Sequence, residues 1–395
     1  MKILMLTPYL PYPLYSGGQI RTYNLLKQLA DKHEITLFAL IKDSQEEQYI
    51  KQIQPFCHQV RVFRRSKNPF TCRNIIKTGL SSYPFLVIRN HVPEAVTAIM
   101  QELQTHRYDL IHAETFYMMP HIPKTTVPVL LVEQTIEYLG YQSYASKHRP
   151  PLRWLLDIDI QKIIKWEQHY WRQADLLVTM SENDKKYIQA FLKNPQKVHV
   201  VSNGVDTSWF QEKPKQPRLN PTVLYVGTFK WLPNIEAAIH LMKNVWPIIH
   251  ERLPSAQLHI VGNAPTSQIM QMAKSNHSIK VLGRVEDIRD AFANSHLLLA
   301  PVFSGKGTRY KILEALASHT PIVASSTAVE GLNLIHNQHA LISDDPNKMA
   351  EYSIKLLSSS TLRERLSANG YRFINQNYDW QIISKKLDNI YQSMG

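Results

Sequence analysis

Two cations and a carboxylate follow a short glycine-bearing loop and could together bind a nucleotide. Arg309 and Lys311 stand at the start of a helical pattern, and Glu314 lies about one turn further along it. The loop at residues 304–308 would bring backbone N–H groups and a helix N-terminus together, and both favour phosphate. A carboxylate beside a ribose diol would complete a site for a nucleoside diphosphate. An ordinary crossover with charges on a solvated face is the alternative, because short glycine motifs are weakly specific.

The segments around this loop have the pattern of one β–α–β unit. Residues 295–302 form an apolar run typical of a buried strand, and residues 310–317 have helical periodicity. A second β-branched run at residues 321–324 predicts the next strand. The carboxyl end of the first strand would therefore lead into the loop, and the helix would carry the carboxylate.

Residues 305–315 read G-K-G-T-R-Y-K-I-L-E-A, and this motif resembles a subgroup of the retaining glycosyltransferases of family 4, which have the GT-B fold. The family signature contains two glutamates. The second corresponds to Glu314, while Lys306 occupies the position of the first. The resemblance implies that Glu314 orients the ribose and that Arg309 and Lys311 stabilise the departing diphosphate. It also implies donor contacts from the loop residues Gly305, Lys306, Gly307 and Thr308.

The beginning of the chain predicts a second ligand-binding loop. A strand at residues 2–6 is followed by a proline-containing loop, the glycines Gly17 and Gly18, and a helical pattern. Glycines there would let the backbone approach a ligand at the helix N-terminus. A simple glycine turn entering a helix is the other interpretation. The family resemblance puts both glycines beside the donor phosphate and the acceptor.

Polar side chains follow two further predicted strands, at residues 109–112 and 127–132. Ligands of open α/β sheets gather outside the carboxyl ends of strands. The resemblance implies a catalytic position for His112 on the acceptor side, and a structural hydrogen-bonding histidine is the alternative. It implies acceptor contacts from three further residues, Glu114, Gln134 and Glu137.

The second half of the chain repeats the same order, beginning with a strand at residues 222–227 that ends in glycine. Members of the family often have an arginine and a lysine after this glycine, and both bind the donor diphosphate. Here Lys230 is the only cation of the loop at residues 228–234, so we predict that it contacts the donor. Arg284 and Val285 follow a later strand, and the resemblance puts them over the nucleotide base.

Composition favours an acidic partner and a reducing compartment. The chain has 395 residues and a formal net charge of +13, which suits nucleotide-sugars, anionic membrane or nucleic acid. We predict no nucleic-acid partner, because no helix-turn-helix, zinc spacing or RNP-like run is present. Cys57 and Cys72 make no disulfide framework and favour the cytoplasm. The first residues lack a signal-peptide pattern, and no run approaches the roughly 20 apolar residues of a spanning helix.

A basic and aromatic segment at residues 64–89 mixes apolar side chains with arginine and lysine. This composition is typical of an interfacial surface for anionic lipid, but we favour the other interpretation, in which the apolar residues belong to the core and the charges are solvated. We expect a cytoplasmic protein, and the interfacial interpretation would add a peripheral contact at the inner face of the plasma membrane. By contrast, Trp154, Trp166 and Trp171 have helical spacing and predict packing in the core.

The order of segments and the family resemblance predict an α/β protein of the GT-B type, in which two Rossmann-like domains with parallel sheets face each other across a cleft. The polar, proline-rich stretch at residues 213–221 marks the boundary. We predict an N-terminal acceptor domain at residues 1–210 and a donor domain at residues 218–375. A last helix at residues 376–395 is expected to cross back to the first domain.

These features together predict retaining transfer of a sugar from a nucleotide diphosphate-sugar to a glycan or lipid-linked acceptor, in cell-surface polysaccharide synthesis. We expect no organic cofactor, and no metal, since no histidine–cysteine cluster has ligand spacing. A GT-B nucleotide-sugar epimerase or hydrolase, a non-catalytic nucleotide-sugar-binding protein and a nucleic-acid-binding protein are the alternatives. The first would turn over the donor without acceptor, and the last would bind random DNA with a steep salt dependence.

Overall fold

The computed structural model describes residues 1–216, 219–305, 307 and 309–394, and it divides the chain into two compact units. Unit 1 contains residues 1–202 and 383–394, and unit 2 contains the described residues of 203–382. The division falls earlier than the predicted boundary at residues 210–218. Most of the last helix groups with unit 1, so its residues pack against the N-terminal part of the chain.

A parallel β-sheet forms the centre of unit 1. Among the described residues its strand order is β3-β2-β1-β4-β5-β6-β7. The strands are β1 (Lys2–Thr7), β2 (Glu34–Ile41), β3 (Gln59–Arg64), β4 (Leu110–Glu114), β5 (Val129–Glu133), β6 (Leu176–Thr179) and β7 (Val198–Val200). The central strands are buried along nearly their whole length. A parallel sheet is covered on both faces, which is why these strands are continuous apolar runs in the sequence.

Helices connect the strands of unit 1. They are α1 (Gly17–Leu29), α2 (Ile50–Ile53), α3 (Cys72–Leu80), α4 (Phe85–Asn90), α5 (Pro93–Thr105), α6 (Glu137–Ala145), α7 (Leu152–Gln173) and α8 (Glu182–Gln189). Short 3-10 helices lie at Ser44–Tyr49, Gln54–Phe56, Phe116–His121 and Pro195–Lys197. Residues 44–53 are therefore mostly 3-10 helix, and only the last four of them form α2. An aspartate–glutamate capping box at Asp43 and Glu46 tightens its first turn.

Unit 2 has its own parallel sheet, with the order β10-β9-β8-β11-β12-β13 among the described strands. The strands are β8 (Thr222–Val226), β9 (Gln257–Val261), β10 (Ile279–Gly283), β11 (Leu297–Ala300), β12 (Ile322–Ala324) and β13 (Leu341–Ile342). The β11 and β12 strands are neighbours, with Leu298 opposite Ile322. They are the two strands of the predicted β–α–β unit.

The helices of unit 2 are α9 (Thr207–Gln211), α10 (Leu232–His240), α11 (Trp246–Arg252), α12 (Ser267–Lys274), α13 (Ile288–Ala293), α14 (Tyr310–Ala317), α15 (Pro346–Ser358) and α16 (Ser360–Asn377). The helical period of residues 235–252 is continuous in the sequence, but a π-helical turn at Leu241–Val245 separates α10 from α11. Pro247 lies in the first turn of α11. Its ring nitrogen cannot donate to the preceding helix, so the chain widens before it and starts again with the proline near its N-terminus.

The last helix, α17 (Trp380–Gln392), is anchored in unit 1 by polar contacts as well as by apolar packing. Asp388 accepts hydrogen bonds from the side chains of Lys32 and His33. The ring of Tyr391 packs edge-on against that of His33, with centroids 5.4 Å apart. These contacts join the end of the chain to the loop between α1 and β2.

Candidate active site

One candidate site lies in unit 2, where it consists of the loop after β11 and the first turn of α14. Gly305 has a φ of +86°, in the left-handed region that glycine adopts without strain. A Cβ atom added there would lie 3.0 Å from Cγ of Pro233 and 3.1 Å from Nη2 of Arg309. Only glycine fits this backbone without displacing its neighbours. Lys306 and Thr308 lie outside the described residues, and their donor contacts stay predictions.

Arg309 occupies the N-cap position of α14 and closes this loop. Its Nη2 donates to the carbonyl oxygen of Ser304 at 2.9 Å. No side chain caps the helix at Arg309, so the N-terminus of α14 retains the polarity that favours an anion. Burial lowers the pKa of Arg309, but a guanidinium remains charged at any physiological pH.

Lys311 lies in the first turn of α14, and only 7% of its surface is exposed. Its Nζ donates to Oδ1 of Asn234 at 3.0 Å and lies 4.5 Å from the centroid of the Tyr225 ring. Burial, together with the charge of Arg309, lowers the pKa of Lys311 to about 7. An incoming phosphate would offset both effects, so this ammonium is suited to binding an anion.

Glu314 is the carboxylate of this cluster and lies one turn after Lys311 on α14. Burial raises the pKa of Glu314 to about 7, against the opposing charge of Lys311. No described side chain donates a hydrogen bond to its carboxylate. A ribose diol would supply two O–H donors, which favour the ionised carboxylate. The cluster can therefore hold both ends of a nucleoside diphosphate.

The other donor-side predictions fall in loops at the carboxyl ends of two strands of the same sheet, β8 and β10, which are separated by β9. Lys230 follows β8, and Arg284 and Val285 follow β10. Lys230 and Arg284 are exposed to solvent, and Val285 packs partly against the core of unit 2. Loops that follow parallel strands share one edge of the sheet. The roles of these three residues stay predictions.

A separate candidate site lies in unit 1, where α1 begins after the first strand. Gly17 is the first residue of α1, and Ser16 caps the helix by accepting a hydrogen bond from the backbone N–H of Gln19. A Cβ atom added to Gly18 would lie 2.6 Å from Oη of Tyr9 and 2.7 Å from Oε1 of Gln134. Gly18 is therefore required by close packing at the carboxyl end of the sheet.

A chain of hydrogen bonds runs through the candidate site of unit 1. Oη of Tyr391 lies 2.6 Å from Nδ1 of His112, whose Nε2 lies 3.1 Å from Oε1 of Glu114. Nε2 of Gln134 donates to Oε2 of Glu114 at 2.7 Å and to Oη of Tyr9 at 2.6 Å. These partners fit a histidine that donates from Nε2 to the carboxylate and accepts the tyrosine hydroxyl at Nδ1.

The predicted direct roles of His112 and Glu114 need a correction, because neither side chain is exposed. Burial alone would raise the pKa of Glu114, but the hydrogen bond from His112 and the charge of Arg21 bring it below its ordinary value. The carboxylate thus stays ionised inside the unit. Both residues position Gln134, which is partly exposed, and they do not themselves present a surface to a ligand.

Glu137, the remaining predicted acceptor residue, begins α6 after the end of β5. Its backbone N–H donates to Oε1 of Glu167 at 2.8 Å, which fixes the start of the helix. Burial raises the pKa of Glu137 to about 7, against the opposing charge of Arg89. A carboxyl with this pKa can accept or give up a proton near neutral pH.

Sequence reasoning missed the residues that hold the site from a distance. Tyr225 and Asn234 hold the Lys311 ammonium, and Tyr9, Arg21 and Tyr391 belong to the buried network of unit 1. Asn234, in the first turn of α10, was the one available signal, since it is a polar residue soon after the end of β8. The others are distant in the chain from the residues they contact.

Neither a membrane-spanning helix nor a metal-binding cluster occurs among the described residues. No described helix combines the length and the apolar character needed to cross a bilayer. No group of three or more histidine, cysteine, aspartate or glutamate side chains within the described ranges is arranged to hold a metal ion.

Both units are parallel α/β folds with candidate ligand-binding loops at the carboxyl edges of their sheets, and this organisation is that of the GT-B fold class. The chain belongs to the glycosyltransferases of family 4. Residues 15–209 match the family model described as Glycosyltransferase Family 4, and residues 220–359 match the model described as Glycosyl transferases group 1. The protein is therefore a glycosyltransferase.

Known proteins similar to this chain include enzymes and an uncharacterised protein. It is 27% identical over 202 residues to a phosphatidyl-myo-inositol mannosyltransferase of Mycobacterium leprae, a match that covers 49% of this chain and 53% of that enzyme. The chain thus spans about half the length of this relative. It is 20% identical over 406 residues to an uncharacterised 44.6 kDa protein in the cps region of Klebsiella pneumoniae, covering 98% of this chain and 97% of that protein.

A solved structure has the same fold over the whole chain. Anabaena HepE in complex with UDP-glucose superposes with a TM-score of 0.68 and 14% sequence identity, covering 100% of both chains. At this identity the likeness shows the fold, and the roles of particular residues must be argued from this chain's own geometry.

Proposed function

We propose that this glycosyltransferase moves a sugar from a nucleotide diphosphate-sugar to a glycan or lipid-linked acceptor, with retention at the anomeric carbon, in the synthesis of a cell-surface polysaccharide. The observation that carries the proposal is the cluster of Lys311, Arg309 and Glu314 at the N-terminal end of α14. The names of three similar proteins support it. They include a complex with UDP-glucose, a mannosyltransferase named for an inositol phospholipid, and a protein of a cps region.

The chemistry of the proposed reaction is mainly the stabilisation of a leaving group. When the bond to the anomeric carbon breaks, negative charge grows on the terminal phosphate of the nucleoside diphosphate. The N-terminus of α14, the Lys311 ammonium and the Arg309 guanidinium would stabilise that charge without a metal ion. Glu314 would orient the ribose. In unit 1, the backbone at Gly17 and Gly18 would approach the donor phosphate. We assign no enzymic nucleophile.

Further contacts complete the proposal. On the donor side we include Lys230, Arg284 and Val285, with the loop residues Lys306, Gly307 and Thr308. On the acceptor side we include Gln134 and Glu137, held in place by His112 and Glu114. Gln134 is partly exposed, as is Tyr9, to which it donates a hydrogen bond, so the buried network would act through these two residues.

Nucleoside diphosphate release tests this function directly. Purified protein is incubated with UDP-, GDP-, ADP- and dTDP-sugars, with and without lipid-linked or glycan acceptors, and with and without EDTA. We expect acceptor-dependent release that EDTA does not change. A thermal-shift panel selects the nucleotide first, since a ligand at a hundred times its Kd stabilises by about 2.7 kcal/mol. Equal turnover without acceptor indicates a hydrolase or epimerase, and no nucleotide binding contradicts the proposal.

Donor affinity is expected to pass through a maximum near pH 7. Phosphate binding needs the charged form of Lys311, which is lost as the pH rises through its pKa of about 7. Ribose binding needs the ionised form of Glu314, which is lost as the pH falls through its pKa of about 7. Affinity should therefore fall by up to about tenfold per pH unit on each side.

Calorimetric titration of the selected nucleoside diphosphate from pH 5.5 to 8.5 measures this profile. Lys311→Met should remove the fall at high pH, and Glu314→Gln should remove the fall at low pH. A flat profile in the unmodified protein would show that these two groups do not titrate at the donor site.

An exposed apolar surface on unit 1 supports the proposed membrane contact. Ile75, Ile76 and Leu80 on α3 are between 54 and 88% exposed, so the core interpretation of the basic segment is wrong for them. Trp154, Leu155 and Ile158 on α7 are between 60 and 64% exposed, so the predicted packing of Trp154 is also wrong. We call these six residues the apolar surface.

The two helices of the apolar surface are joined. Nζ of Lys162 on α7 donates to the carbonyl oxygens of Thr78 and Ser81, at the end of α3, at 2.5 and 2.7 Å. Leu155 and Ile158 precede Lys162 by seven and four residues on the same helix, which places them on the same face. The exposed cations Arg73 and Lys77 also lie on α3. Apolar and basic side chains on one surface favour an anionic bilayer.

Replacing Ile76 and Leu155 with aspartate should weaken vesicle binding about tenfold or more, because each exposed apolar side chain contributes about 1.5–3 kcal/mol when it enters the bilayer interface. Co-sedimentation with vesicles of phosphatidylglycerol and phosphatidylcholine, against phosphatidylcholine alone, measures the effect. Ile335→Asp serves as the matched control, because Ile335 is an exposed isoleucine of unit 2. Equal sedimentation of all variants would contradict the membrane contact.

A further inference from the structure

Two arginines of unit 1 lie close together without a carboxylate partner. Arg65 follows the last residue of β3, and Arg89 lies in the last turn of α4. Neither makes an ion pair within 4.0 Å to a described carboxylate, and the Nε atom of each is buried with no hydrogen-bond acceptor in the described ranges. We propose that Arg65 and Arg89 form a subsite for a phosphate group of the acceptor. This inference rests on the proposed glycosyl transfer.

Hydrogen bonds hold the Arg65 guanidinium against α4, the helix that carries Arg89. Nη1 of Arg65 donates to Oδ1 of Asn90 at 2.6 Å, and Asn90 follows Arg89 directly. The side-chain nitrogen of Asn90 donates to the carbonyl oxygen of Leu86 at 2.7 Å, so the amide is locked against α4. The geometry is therefore set by α4 and does not depend on a flexible loop.

The charges of this region do not cancel. Burial lowers the pKa of Arg65, and the positive charge of Arg89 lowers it further, against the opposing effects of Tyr117 and Glu46. Arg89 interacts electrostatically with Glu137, which is only partly ionised at neutral pH because burial raises its pKa to about 7. Two like charges held together in a partly buried site favour an anionic ligand, which would offset the repulsion and the lost hydration.

A third donor comes from the 3-10 helix at Phe116–His121, which packs against α4. Burial and the charge of Glu137 raise the pKa of Tyr117, so its hydroxyl keeps its proton and can donate. The residue that leads into this helix, Thr115, has a φ of +74°. A β-branched residue rarely adopts this conformation, and such strain is concentrated at functional sites.

The position of the cluster fits an acceptor. Arg65, Thr115 and Glu137 follow the carboxyl ends of β3, β4 and β5, the edge at which α/β proteins bind ligands. The exposed residues of α3 lie between Arg65 and Arg89 in the chain. Guanidinium groups bind phosphate through paired hydrogen bonds, and they do so whether the phosphate belongs to a lipid headgroup or to a soluble glycan.

Glycerol 3-phosphate, with glycerol as the neutral probe, tests the subsite. Calorimetry is done on protein carrying Lys311→Met, so that the candidate donor site contributes less. We expect binding of glycerol 3-phosphate that is about tenfold to a hundredfold weaker after Arg89→Gln, and only partly weakened after Arg89→Lys. Arg372→Gln removes the same charge from an exposed position of unit 2 and should change nothing.

Hydrogen exchange read by mass spectrometry locates the binding. Glycerol 3-phosphate, or vesicles of phosphatidylglycerol, should protect the peptides of α4 and of the 3-10 helix that carries Tyr117. Protection by the soluble probe indicates a glycan phosphate, protection by the vesicles alone indicates a headgroup, and either supports the subsite. No protection by either, or equal affinity after Arg89→Gln, overturns it.

The outcome is separable from that of the proposed function. Nucleoside diphosphate binding should be the same in Arg89→Gln and in unmodified protein. If no nucleotide binds but glycerol 3-phosphate does, the transferase proposal fails and the anion subsite stands. If Arg89→Gln lowers the melting temperature by more than a few degrees, the Arg89→Lys comparison decides, because it keeps the charge and changes only the paired hydrogen bonds.

Discussion

Replacing Lys311 with methionine is expected to lower kcat/KM for the donor by about 10²–10³-fold, the range for losing one preorganised group that stabilises developing charge. The ammonium lies over the Tyr225 ring and is held by Asn234 in a nearly dry site. Electrostatic interactions are strongest where water is excluded. Initial-rate measurements with varied donor and saturating acceptor separate kcat from KM, and most of the loss should be in kcat.

The control for this variant is Lys348→Met, which removes the same charge from an exposed position on α15. Methionine has nearly the length of lysine and removes a buried charge, while Oδ1 of Asn234 loses a donor. These effects oppose each other, so the free energy of unfolding should change by no more than about 2 kcal/mol. A loss of kcat/KM below about threefold, in protein of normal stability, would exclude Lys311 from the chemistry.

Replacing Glu314 with glutamine should weaken nucleoside diphosphate binding about 10- to 150-fold, because a hydrogen bond to a charged group contributes about 1.5–3 kcal/mol. The amide presents one oxygen and loses the charge that ribose hydroxyls favour. Calorimetric titration at pH 8, where the unmodified carboxyl is ionised, measures the full effect. The 2′-deoxy nucleotide provides a ligand control, since its affinity should differ less between the two proteins.

The same substitution should make the protein more stable. Folding raises the pKa of Glu314 from 4.5 to about 7, so the folded protein binds more protons than the unfolded chain between these values. The contribution of Glu314 to stability therefore falls as the pH rises from 4.5 to 7 and stays unfavourable above it. Glu314→Gln should raise the melting temperature at pH 8, with about 2–4 °C for each kcal/mol recovered. Weaker binding together with lower stability would indicate a structural carboxylate instead.

In the candidate site of unit 1, the side chains at the end of the N-terminal sheet depend on contacts with the last helix of the chain. Tyr391 contributes the hydroxyl at Nδ1 of His112, and Asp388 holds the loop after α1. The ring of His112 can keep Nε2 toward Glu114 only while Nδ1 has a donor. The orientation of Gln134 is therefore set, through three side chains, by α17.

Much of the fold could be predicted because parallel strands and amphipathic helices have local signatures. The apolar run at residues 295–302 contains β11, and the helical pattern at residues 310–317 is α14 with the same bounds. The sequence pattern misleads where helical periodicity and a proline occur in the same segment. The pattern of α10 and α11 is continuous in period, but Pro247 imposes the π-helical turn between them.

The candidate site was predicted in part. Residue type and spacing indicated Lys311 and Glu314, because a helix places positions three apart on neighbouring parts of one face. Burial was not predictable in the same way. The strand pattern around His112 is compatible with an exposed or a covered carboxyl end, and only the packing of α17 shows that the histidine is enclosed. The convergence of Arg65 and Arg89, from different elements, left no sequence signal.

By itself, the sequence determined the α/β class, the loop that leads into α14, and the identity of the cations and the carboxylate on that helix. These depend on periods of two and 3.6 residues and on side-chain chemistry, which are local properties. The tertiary structure decided which groups surround them: Tyr225 and Asn234 around Lys311, Tyr391 on His112, and α7 beside α3. Burial, pKa and exposed surface arise from contacts between distant segments, and those contacts exist only after the chain has packed.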